Sequence, residues 1–291
     1  LLARNADQSA ITACALYGLV PAYIPCMQTA DGYAYVTEEA ALQALAAHPQ
    51  ARAVLLTRPD YYGGLMPLAR VRQAAHRQGA LLLVDEAHGA TLNWDETLQN
   101  AMALGADIAV QSAHKTLPAL TSGAWLHAVP GVDAERLRQC VRRVQTSSPS
   151  FLCQLAMDDA RAWMDERGAA TLSAMRAQVT RFWRQAERLG YRPAQRLWQA
   201  TDVPGAFDPL RLVLDAPQGG DVLARQLAAL GCDVEMSDAC RAVGILSPTG
   251  YRHQLSGLLS ALRRIGPPQR AQRPTFPPYP PLPETVLAPA E

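Results

Sequence analysis

The chain has 291 residues, 49% of them hydrophobic and 18% charged, enough to bury a substantial core as one large or two modest domains. A formal net charge of +1 excludes a nucleic-acid or membrane partner held by bulk charge, and no apolar run approaches the roughly 20 residues that a span requires. The six cysteines are scattered without a CxxC pair, which argues against metal or disulfide frameworks and predicts buried free thiols in a reducing, cytoplasmic compartment. The opening Leu1-Leu2-Ala3-Arg4 carries neither Met nor a signal pattern, and reads as a start partway through a fold.

In chain order, Thr37 followed by Glu38 and Glu39 predicts a capped helix running to about Ala47. Four short apolar runs read as strands buried on both faces: Arg52–Thr57, Ala80–Asp85, Ala106–Ser112 and Gly123–Val129. Leu65–Gln78 and Asp95–Leu104 read as helices between them, with Gly79 and Gly105 as their stops. A long helical region follows from about Ser150 to Leu189, with a break expected near Gly168. A strand at Arg211–Asp215, a helix at Gly220–Leu230, strands at Asp233–Met236 and Ala242–Leu246, and a helix at Gly250–Ile265 complete a smaller α+β unit. From Pro267 the chain is proline-rich and reads as an extended tail. The fold class is therefore α/β with a mostly parallel sheet, followed by a smaller α+β C-terminal domain.

Lys115 is the single lysine among 27 lysines and arginines. Arginine cannot lose its proton or form an imine, whereas a lysine amine does both. Lys115 lies in QSAHKTLPAL (111–120), directly after a predicted strand. The run LLLVDEAHGA (81–90) places Asp85 at the end of another strand, at the sheet edge where open α/β folds carry their sites, with His88 in the turn beyond. An acid there can pair with the protonated ring nitrogen of pyridoxal 5′-phosphate (PLP), which keeps the ring an electron sink. Ser112 and His114 flank Lys115 as hydrogen-bonding groups suited to the cofactor phosphate. VDEAH is also an ATPase motif, but that chemistry needs a G-x-x-x-x-G-K-[ST] loop, which the sequence lacks.

DEAHGA, ADIAVQSAHKTLPALTSGAWLH and QTSSPSF, together with TRPDYYGG (57–64) and GCDVEMSD (231–238), resemble the Orn/Lys/Arg decarboxylase family of PLP enzymes with the aspartate aminotransferase fold (fold type I). The resemblance implies Lys115 as the imine lysine, Asp85 as the ring-nitrogen partner, and His88 near the cofactor's phenolic oxygen or the substrate carboxylate. It implies Ser112 and His114 at the phosphate, and Thr146 reaching the phosphate of a neighbouring subunit in a homodimer; a helix cap is the other reading of Thr146. Tyr61 and Tyr62 read equally as pocket lining and as core. The family's R-N-x-H-K-S segment, whose histidine stacks on the PLP ring, is matched by Arg4-Asn5-Ala6-Asp7-Gln8-Ser9, so Asp7 stands at the stacking position. The family's Ser/Thr-rich phosphate loop lies upstream of this segment, and its small domain continues beyond LPETVLAPAE; the chain therefore reads as truncated at both ends.

The implied organisation is a PLP-binding large domain at 1–148, connecting helices at 149–194, a small domain at 195–266 and a tail at 267–291. The implied activity is α-decarboxylation of lysine, ornithine or arginine. Two alternatives stand beside it: a non-enzymatic remnant of that family, and an aminotransferase. The latter would need a carboxylate-binding arginine, for which Arg241 is a candidate, although it reads more naturally as solvent-facing.

Overall fold

The computed structural model describes residues 1–200, 203, 205–269, 274–278, 280 and 281. The first half alternates strands and helices: β1 (Leu2–Ala3), α1 (Gln8–Leu16), β2 (Tyr23–Ile24), the hairpin β3 (Met27–Gln28) and β4 (Ala34–Tyr35), α2 (Glu38–Ala47), β5 (Ala53–Thr57), β6 (Gly64–Leu65), α3 (Ala69–Arg77), β7 (Leu81–Asp85), β8 (Ile108–Ser112), the single turn α4 (Ala113–Thr116) and β9 (Ala124–Ala128). Helices α5 (Ala134–Val144) and α6 (Phe151–Arg188) lead to β10 (Arg192–Pro193), α7 (Ala194–Gln199), β11 (Ala206–Phe207), β12 (Arg211–Asp215), α8 (Gly220–Ala228), β13 (Met236–Ser237), β14 (Arg241–Ile245) and α9 (Tyr251–Ile265).

The main sheet has the order β2-β1-β5-β7-β8-β9, parallel throughout except for β9, which runs back beside β8. One face of its strands is covered by α2 and α3, whose Ala41, Leu45, Val71 and Ala75 pack on Val54, Leu56, Leu82 and Val84; the expected burial on both faces is not met, because Leu81, Val110 and Leu126 on β7, β8 and β9 are exposed. Thr37 caps α2 through Ala40 N–H at 3.1 Å, as its spacing before Glu38 and Glu39 predicts. The second sheet is antiparallel in the order β10-β12-β14-β13 and packs through Leu212 and Leu214 against α6, α8 and α9. A mostly parallel α/β layer with a smaller α+β unit is therefore what the chain forms. Among the described residues, no helix is long and apolar enough to cross a membrane.

Four further expectations are corrected. Residues 95–104 form turns, not a helix, and the helical turn there is a 3-10 segment at Ala90–Trp94. The Asp95 carboxylate takes the N–H groups of Thr97 and Leu98 at 2.8 Å, and Glu86 takes that of Ala101 at 2.7 Å, so side chains replace the helical ladder. The helix expected from Leu65 begins only at Ala69, because Gly64–Leu65 pairs instead with β11. Helix α6 runs unbroken through Gly168. A Cβ at that glycine would lie 3.0 Å from Trp94 Cβ, so the residue serves close packing rather than a break. Finally, of the six cysteines only Cys26 and Cys240 are buried; Cys140 is exposed, on a helix α5 that buries none of its residues.

Candidate active site

Parallel strands deliver their carboxyl ends to one edge, and residues at or beyond the ends of β1, β5, β7 and β8 gather there. Thr57 ends β5, while Asn5, His88 and Thr116 follow β1, β7 and β8, and each holds a buried side-chain atom without a hydrogen-bond partner among the described residues: Asn5 Oδ1, Thr57 Oγ1, His88 Nδ1 and Thr116 Oγ1. Buried polar groups are rarely left unpaired, so this concentration marks an edge built to receive a polar ligand.

Asp85 ends β7 and accepts from Ala87 N–H at 3.0 Å. Burial raises its pKa above the usual carboxylate range; the Ala87 bond and the Lys115 charge pull it back, while Asp7 pushes it further up. Lys115 is half-buried on the single turn α4 that follows β8. The base of that turn is pinned to the sheet, since Ala113 N–H bonds to Gly123 O at 2.9 Å and Ser112 N–H to Ala87 O at 3.3 Å. Burial, and then the positive charges of Arg211 and Lys115, depress His88 to about 3, so its ring is neutral at physiological pH. The Tyr61 ring meets it edge-on at 4.7 Å. His114 is fixed by the backbone of Gly123, whose N and O lie 3.2 Å and 3.0 Å from its Nδ1.

Asp85, His88, His114 and Lys115 are thus one electrostatic cluster, with Ser112 buried at its base. Asp7 belongs to it as well. It caps α1 by accepting from Ser9 N–H at 2.9 Å and Ser9 Oγ at 2.6 Å, and these bonds hold its pKa below the usual range. It acts electrostatically on Lys115, Asp85, His88 and Tyr61. Thr146 stands apart. It is exposed and accepts from Ser148 N–H at 3.1 Å, and the cap of α6 is Ser150.

The two neighbouring tyrosines part ways. Tyr61 lines the cluster and donates to Glu235 Oε1 at 3.1 Å; Tyr62 packs on Trp198 and donates to Asp238 Oδ2 at 2.6 Å. Arg241, expected to face solvent, is 1% exposed. It lies 5.2 Å from the ring centres of both Tyr62 and Trp198, and its guanidinium donates to Asp31 O at 2.6 Å and pairs with Asp238. So held, it joins β14 to the β3–β4 turn and to the loop after β5, and is not presented to a keto acid.

Two residues escaped the sequence reading. Arg211, 2% exposed, enters from the start of β12, faces His88, and has its Nη1 unpaired among the described residues. Asp208, Glu235 and Asp60 surround it with negative charge. Its signal was a basic residue opening an otherwise apolar strand, in DPLRLVLD. Glu235 carries no signal beyond its place in GCDVEMSD; only the tertiary structure brings it to Tyr61.

The comparisons place the chain. Residues 1–206 match the model of the Orn/Lys/Arg decarboxylase major domain, so the chain belongs to the Orn/Lys/Arg decarboxylase family, with the fold type I architecture. It is 29% identical over 276 residues to an arginine decarboxylase of Bacillus subtilis, covering 91% of this chain and 56% of that one. It is 39% identical over 171 residues to the uncharacterised protein YaaO of the same organism, covering 56% of this chain and 35% of that one. The chain thus spans about half the length, or less, of these relatives. Among solved structures, the constitutive lysine decarboxylase of E. coli superposes with a TM-score of 0.75 over 91% of this chain and 45% of that one at 18% identity, and a NifS-like protein with 0.68 over 91% and 74% at 13%.

Proposed function

We propose that the chain is the cofactor-binding part of a PLP-dependent decarboxylase acting on a basic amino acid. The observation that carries this is the carboxyl-edge cluster of Asp85, His88 and Lys115, ringed by unpaired buried polar atoms. These residues fit PLP where its chemistry resides. Lys115 would hold it through its amine, Asp85 would pair with its ring nitrogen, and the unpaired His88 Nδ1 would bond to its phenolic oxygen or to the substrate. Ser112, His114 and the unpaired Thr116 Oγ1 supply hydrogen bonds for the phosphate. When bound, the cofactor supplies the electron sink that accepts the pair left by departing CO₂.

The protein's own contributions follow from geometry. Tyr61 covers His88 and excludes water from one side of the site. A buried carboxylate at position 85 keeps a facing ring nitrogen protonated. Lys115 is the one amine at the sheet edge able to take up and return a proton. Glu235, tethered to Tyr61, offers a carboxylate to the distal cation of lysine, ornithine or arginine. CO₂ release from each of the three, with Lys115→Ala as blank, tests the reading; release from none overturns it.

Asp7 favours the second reading, a non-catalytic remnant, because it sets a carboxylate where a ring face is needed; Lys115-dependent turnover would eliminate it. A second copy of the chain is part of the main proposal. Thr146 is flanked by exposed Val144, Phe151, Leu152 and Leu155, and an apolar surface of this kind fits a symmetric interface that brings Thr146 to the partner's phosphate. A cytoplasmic location belongs to the same reading and is supported by the free thiols of Cys14, Cys140, Cys153 and Cys232.

A further inference from the structure

The proline-rich tail is the sequence feature to which the candidate site assigns no role. Its start is pinned to the small domain. Gly266 ends α9 at a φ of +84°, its carbonyl accepts from Tyr191 Oη at 2.8 Å, and Pro268 sits 3.0 Å from where a Cβ on Gly190 would stand. Further along, the tail lies on the large domain at two points. The Phe276 ring covers Gly32 in the β3–β4 turn so closely that a Cβ there would be 2.6 Å from ring carbons. Arg4 Nη1 donates to Pro280 O at 2.6 Å and to Pro281 O at 3.2 Å.

The chemistry suits a reversible contact. Proline has no N–H, so the carbonyls of such a stretch lack partners within it and remain open to a cation. A stretch already extended by its prolines also loses little conformational freedom on docking. The large-domain grip is placed for consequence. Arg4 directly follows β1 and leads into the turn that carries Asp7, held by Arg4 N–H to Ile24 O at 3.1 Å and Ala6 N–H to Ala3 O at 3.0 Å.

We propose that the proline-rich tail is a strap which, through Phe276 and the carbonyls of Pro280 and Pro281, holds the Arg4–Asp7 wall of the candidate site closed, so that its release opens the approach to Lys115.

The single lysine provides the assay, and no cofactor is needed, so the outcome is independent of the decarboxylase reading. Reductive methylation of Lys115 by formaldehyde and a cyanoborohydride is followed by mass spectrometry in the whole chain and in Phe276→Ala and Arg4→Gln. Loss of one anchor raises the open fraction, and Lys115 modification accelerates by roughly tenfold, as for the loss of one charge-assisted hydrogen bond. Amide exchange across residues 5–9 quickens with it, while exchange in α9 stays as it was. A synthetic peptide with the sequence of residues 274–281, in excess, slows modification of the Phe276→Ala chain again. Unchanged Lys115 rates in both variants overturn the proposal. So does an acceleration accompanied by lost α9 protection, which reports general loosening, or one that the peptide leaves untouched.

Discussion

At position 7, an ionised carboxylate faces Lys115 and Asp85 where the family resemblance puts a ring-stacking histidine. Were PLP bound as proposed, this carboxylate would repel the cofactor's phosphate and phenolate, and it offers no aromatic face. Asp7→His removes the repulsion and adds a stack of roughly 0.5–1.5 kcal/mol, so PLP affinity rises by about tenfold. Absorbance titration against a Lys115→Ala blank measures this, and the helix α1 loses its cap in the exchange. One position beyond Asp85, Glu86 is fully buried and accepts from Ala101 N–H and Gln111 Nε2, both at 2.7 Å, with Arg58 Nη1 at 3.6 Å. Burial raises it from 4.5 to about 7. The folded chain therefore holds this proton more tightly than the unfolded chain does. The resulting stabilisation is complete below about pH 4.5 and is lost as the pH rises through about 7, a change of roughly 3 kcal/mol. Glu86→Gln flattens the slope of the urea midpoint between pH 5 and 8; an unaltered slope would assign the titration to another group. Glu86 was legible only as part of DEAH, since a carboxylate's burial depends on what covers it.

Among the elements, α6 shows how packing overrides local preference. An internal glycine costs a helix about 1 kcal/mol relative to alanine, so the pattern reads as a break at Gly168. The helix continues because Trp94 leans on that glycine and donates to Asp165 Oδ1 at 2.7 Å, while Asp95 pairs with Arg176. Gly168→Leu drives a side chain into Trp94 and lowers stability by about 1–3 kcal/mol, with a shift in tryptophan emission. If the glycine marked a hinge instead, the substitution would stabilise the helix. The turns at 95–104 carry the same lesson: Asp95 and Glu86 capture backbone N–H groups from outside the local pattern, and no periodicity announces them.

Over the whole molecule, apolar surface stays open around Thr146, including Phe151 at 83% exposure, and α5 buries none of its residues. An isolated 11-residue helix is marginal in water, so the proposed second copy is expected to cover it. Light scattering at micromolar concentration is expected to show a dimer, and Phe151→Glu to shift it to monomer without altering the fold. A wild-type chain that remains monomeric would remove the second copy from the proposal. Arg241, Asp31, Tyr62, Trp198 and Asp238 join the antiparallel sheet to the β3–β4 turn and to the loop after β5, through contacts between residues up to 210 positions apart.

The sequence by itself determined the strand runs that end at Asp85 and Ser112, the capped α2, the small-domain order, and the special standing of Lys115. Each is a short-range matter: apolar periodicity, a cap beside its helix, one amine among arginines. Tertiary structure alone decided that Arg241 is buried, that Arg211 and Glu235 reach His88 and Tyr61, that α6 is unbroken, and that the tail returns to Arg4. Those outcomes depend on desolvation and on partners distant in sequence, and neither quantity is a property of a local stretch of chain.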